Sequence, residues 1–95
     1  MNKIETLSLL KGYFTAEEAR EVLVSLLHAK IHFHEMKNFS SQERFGCNDK
    51  VATERIQELK ESLRRVQELV ARAAGSNKKV KVTSMVDIEF TEVEG

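Results

Sequence analysis

His28 and His32 lie four residues apart, and Glu35 follows three residues later. On a helix this spacing turns two imidazoles and a carboxylate to one side, where they can present lone pairs to a single divalent cation. Cys47, the sole cysteine, is the one thiolate available to complete such a set. Against a metal site stands the lack of a second ligand cluster; histidines at this spacing also occur on plain solvated helix faces. Lys30 and His34 fall inside the apolar arc of the same helix, where an unpaired charge is costly. Either their stems pack while the polar ends reach an edge, or they face a pocket or subunit interface. Cys47 precedes a helix start, where the helix dipole can activate a thiol, but no neighbouring spacing matches a cysteine-hydrolase pattern.

A second group, Phe39, Arg44, Phe45 and Cys47, falls in the stretch Asn38 to Asn48, read as the connection between two helices. Such connections usually take about 2–8 residues, so this one is long. Ser40 with Glu43 can cap one further helical turn that Gly46 ends. The two phenylalanines are expected to plug the open end of the hairpin; otherwise they form an aromatic-plus-arginine patch that anchors a partner. The run KIHFHEMKNFSSQERFG, Lys30 to Gly46, resembles one in small uncharacterised bacterial proteins of about this length. That resemblance implies a bacterial origin and brings no activity, cofactor or catalytic residue with it.

Four elements must position these residues. The first, Lys3 to Tyr13, reads as a strand, with Leu7, Leu9 and Tyr13 on one face and Ile4, Thr6, Ser8 and Leu10 on the other. A short helix ending at Gly12 competes, because Ile4, Leu7 and Leu10 also recur at helical spacing. The second is a helix from Ala16 to Lys37, with Thr15 and Glu18 forming a capping box. Its apolar residues, from Ala19 to Met36, cover more of the circumference than an ordinary surface helix buries. This helix therefore needs cover from two directions. The third, Asp49 to Ala74, carries the stripe Ala52, Ile56, Leu59, Leu63, Val66, Val70 and Ala73 in steps of four and three. Asn48 or Asp49 caps it, Gly75 is expected to stop it, and Glu61 to Arg65 and Glu68 to Arg72 are favourable i,i+4 pairs. The fourth, Lys79 to Thr91, is a strand with Val80, Val82, Val86, Ile88 and Phe90 on one face, broken only by Ser84.

The fold class is thus α+β, in the order β-α-α-β, with an antiparallel helical hairpin packed on a small antiparallel sheet. Ninety-five residues make a single domain, 1–95, with a thin core. Lys plus Arg and Asp plus Glu are both 15, with six of each sign up to Cys47 and nine after it. No basic excess is present to neutralise phosphates, so a nucleic-acid partner is disfavoured. Met1 to Leu10 lacks the apolar run of a signal peptide, and the longest oily run, Val22 to Leu27, is far short of a membrane span. With one cysteine, a reducing cytoplasmic setting is expected.

No phosphate loop, acid/base carboxylate pair or nucleophile set is present, and no cofactor is implied. The favoured reading is a non-catalytic interaction or structural module acting as a homodimer, with room for another protein partner. The alternative is a divalent-metal protein or small enzyme using His28, His32 and Glu35. The last strand suggests how a dimer forms. Written antiparallel to itself about Ser84, it sets Lys79 against Glu89 and Lys81 against Asp87 on the wet face. Val80 then meets Ile88, and Val82 meets Val86, on the buried face. Opposite charges placed this way stabilise strand pairs, though lysines also protect unpaired edges.

Overall fold

The computed structural model describes residues 3–93. Two caps set where its helices begin. Helix α1 spans Ala16–Phe45. The Thr15 hydroxyl accepts from the Glu18 amide at 3.1 Å, and the Glu18 carboxylate accepts from the Thr15 amide at 2.8 Å. Helix α2 spans Lys50–Gly75, and its cap is Asp49, whose carboxylate accepts from the Ala52 amide at 3.0 Å.

α1 ends eight residues beyond Lys37, so most of the expected connection is helix. No glycine or proline interrupts the chain between Thr15 and Phe45, and Gly46, at φ 69°, is the first residue suited to the left-handed cap. The last turns are also held by side chains that reach across the turn. Asn38 accepts from the Asp49 amide at 2.8 Å, Gln42 donates to Asn48 at 2.6 Å, and Ser41 donates to the Cys47 carbonyl at 3.0 Å. These bonds close the hairpin with polar groups, and both phenylalanines are exposed.

The stripe on α2 packs against α1 as its spacing requires. Ala52, Ile56, Leu59 and Val70 are buried, and Ile56 and Leu59 join Ile31 of α1 in the core, flanked by Leu27 and Leu63. At the far end of α2 the left-handed residue is Asn77, at φ 53°, not Gly75, which stays helical. The Ser76 and Lys78 amides satisfy the last carbonyls, and asparagine tolerates the left-handed region better than most residues. The expected i,i+4 pairs are also replaced. Arg64 bridges Glu61 and Glu68, and Arg65 takes Glu68 at 3.0 Å, all on the exposed face. Glu61 is held below the usual carboxylate range by its hydrogen bond and charge contact with Arg64.

Strands β1 (Ile4–Phe14) and β2 (Val80–Glu89) pair antiparallel as one two-stranded sheet. β1 is a strand and not the competing helix. Its register slips once, between Ser8 and Leu10. Val80, Val82 and Ser84 therefore face inward with Phe14, Gly12 and Leu10, while Val86 and Ile88 continue that face with Leu7 and Glu5. The half near Phe14 and Val80 is partly buried. In the half beyond Ser84, Val86 is half-buried while Leu7 is 52% and Ile88 46% exposed.

The result is a flat body of 53 × 37 × 14 Å with a radius of gyration of 17.0 Å. A compact chain of this length would have a radius near 12 Å. Its accessible surface is 7818 Å², where a self-contained protein of this mass exposes about 5,600 Å².

Candidate functional site

His28, His32 and Glu35 all lie exposed on the solvent side of α1. Among the described residues no group of three or more His, Cys, Asp or Glu side chains is placed to hold a metal ion. Cys47 does not join them. The 13 helical steps from His32 to Phe45 span about 20 Å, and Cys47 lies beyond that. Its thiol is exposed, and its carbonyl is engaged by Ser41. Of the two polar residues in the apolar arc, His34 is half-buried edge-on to Phe33 at 5.2 Å, and Lys30 is exposed.

Phe39 and Phe45 are not the buried plug that their types suggest. They are 54% and 74% exposed, Phe39 within α1 and Phe45 at its last position. Arg44, in the last turn, is exposed beside them and suits the negative end of the helix dipole. Val51, in the first turn of α2, is exposed as well. The hairpin tip is therefore an open aromatic-plus-arginine surface.

α1 keeps a second apolar stripe away from α2. Val22, Leu26, Ala29, Phe33 and Met36 follow in steps of four and three, and Ala29, Phe33 and Met36 are exposed. The two-sided cover that this helix needs is present on one side only. α2 supplies it there.

The third open region is the edge of β2. Lys81 and Asp87 point to the outer face, where each has a partner across the sheet. The Lys81 ammonium lies 5.7 Å from the Tyr13 ring, and Asp87 accepts from the Thr6 hydroxyl at 2.7 Å. Ser84 is half-buried on the inner face, midway along the strand. Among the described residues β1 alone pairs with β2, so the opposite edge of β2 has no neighbour among them. A groove of about 280 Å³ follows that edge, lined by Leu23, Val66, Leu69 and Val70 together with β2 residues Val80 to Thr83. Leu69 lies outside the α2 stripe, a single leucine between Glu68 and the polar face.

The chain matches no protein-family model, no curated protein and no solved structure. No helix among the described residues is long and apolar enough to cross a membrane.

Proposed function

We propose that this chain is a non-catalytic interaction module that works as a homodimer, joined edge to edge through β2. The observation that carries the reading is surface. The chain exposes about 2,200 Å² more than its mass requires, which is the scale of a large subunit interface, and Leu7, Phe33, Met36 and Ile88 are among its exposed large hydrophobics. Its two-stranded sheet is marginal alone, and a second copy extends it to four strands with β2 at the centre. About Ser84, Lys79 then meets the partner's Glu89, and Lys81 meets the partner's Asp87. The two-fold axis repeats each pair.

The hairpin tip, with Phe39, Phe45, Val51 and Arg44, lies at the opposite end of the helices from the strand junction. It remains open when the sheets join, which supports an adaptor role toward another protein partner. The lone exposed thiol of Cys47 suits a reducing, cytoplasmic setting. Charge exchange tests the pairing. Lys81→Glu should weaken the dimer, and adding Asp87→Lys should restore it. Equal loss in the single and double variants would remove β2 from the interface.

A further inference from the structure

The groove beside β2 has a shape and lining that identify its occupant. Its walls are Leu23 of α1 and Val66, Leu69 and Val70 of α2, and its roof is Val80 to Thr83. No β1 residue contributes, so the groove opens toward the unpaired edge of the sheet. Lys81 and Thr83 are the only polar residues around it, and neither makes it a site for an anion or a metal. An extended apolar segment fits it better than a polar small molecule.

That segment is present in the chain itself. Beyond Ser84 the inner face of the sheet carries Val86, which is half-buried, and Ile88, which is 46% exposed. A strand added beside β2 lies about 4.8 Å away, above the opening of the groove. The two-fold register about Ser84 sets the partner's Ile88 opposite Val80 and the partner's Val86 opposite Val82. Val80 and Val82 are the inward-facing residues that line the groove. Residues directly opposite in an antiparallel pair have Cβ atoms about 4.5–5.5 Å apart and share a face. The same register that matches the charges therefore points both apolar side chains downward onto Leu23, Val66 and Leu69.

We infer that the groove is the socket for the partner copy's Val86 and Ile88, so that each protomer's uncovered half-sheet is roofed onto the other protomer's helices. This inference rests on the β2 pairing proposed above. It explains two exposures at once, Leu69 at 46% and Ile88 at 46%, because each is the other's missing neighbour across the two-fold axis. It also makes association reciprocal, since both sockets fill together.

Disulfide trapping separates this inference from the pairing on which it rests. In a Cys47→Ser background, Ser84→Cys reports the strand axis, since it faces its own copy. A mixture of Leu69→Cys chains with Ile88→Cys chains reports the socket. Oxidation should link Ser84→Cys to itself, and should link the mixed chains while leaving each of them unlinked alone. Helical circular dichroism of every variant checks that it is folded. A linked Ser84→Cys with an unlinked mixture overturns the socket and leaves the dimer standing. An unlinked Ser84→Cys from a wild-type chain that sediments as a dimer overturns both the strand axis and the socket. A wild-type monomer overturns the dimer as well, and leaves the groove to a strand from another protein.

Discussion

Between α1 and α2 the apolar residues find partners within the chain, whereas between the sheet and the helices only half of them do. Ile31, Ile56 and Leu59 are buried together in the hairpin. Leu7 and Ile88 share the inner face of the sheet and remain about half exposed. Both regions follow the periodicity of their elements, so pattern alone does not make a finished core. Length does. The strands run on beyond Ser84, and their far inner-face residues Leu7 and Ile88 are left 52% and 46% exposed. A region that follows every local rule and still stays open is one with apolar surface left for another molecule to cover.

The comparison can be broken from the hairpin side first. Leu59→Ala should cost about 2–5 kcal/mol, the range for a buried leucine truncated in a core. Its denaturation midpoint should fall at every protein concentration, because the contact is internal. An unchanged midpoint would mean that the hairpin is not the stable half.

On the sheet side the expected effect is smaller and differs in kind. Ile88→Ala removes apolar area that association buries, about 1 kcal/mol per copy, or roughly a 30-fold weaker dimer when counted twice. The midpoint loss should be full at concentrations where both proteins are dimers, and should vanish on dilution to folded single chains. A loss that ignores concentration would place Ile88 in the fold of the single chain.

How much of this was legible in the sequence depended on whether one period ran through an element. The α2 stripe from Ala52 to Ala73 keeps its four-three rhythm without a break, and each of its buried positions was readable. β2 was equally plain. β1 was obscure because the register slip between Ser8 and Leu10 moves the inward face from even to odd positions. Read as one strand, Leu7 and Leu10 fall on opposite faces; read on either side of the slip, they fall on the same one. The end of α1 was missed because Asn38, Ser40 and Ser41 have weak helix propensity. Hydrogen bonds to Asn48, Asp49 and Cys47 outweigh that preference, and they become visible only once the turn is folded. The exposed phenylalanines follow from the same cause, since a continuous helix carries them past the hairpin's closing contacts. The groove beside β2 required tertiary placement of Val66 and Leu69 that no local pattern contains.

Two smaller effects sharpen the contrast at the junction of the regions. Thr15→Ala removes the cap where β1 hands over to α1 and should cost about 1 kcal/mol. Differential scanning fluorimetry would show it, and a neutral substitution would deny the capping box a part in stability. Acid should act on the same contact. The Glu18 carboxyl is held below its ordinary value, chiefly by the Thr15 backbone amide and then by its hydroxyl. Its contribution is therefore complete above the unfolded carboxylate range and is lost as pH falls through the lowered folded value. Fraying at the start of α1, read from amide exchange at Glu18 and Ala19, should set in below that range and not near neutrality.

The central claim is that the open half of the sheet belongs to a second copy, and analytical ultracentrifugation of the untagged wild-type chain tests it most directly. At micromolar concentration the account predicts a single species of twice the 10.9 kDa chain mass, dissociating on dilution without loss of helix. A species that stays at the single-chain mass across that range would contradict it.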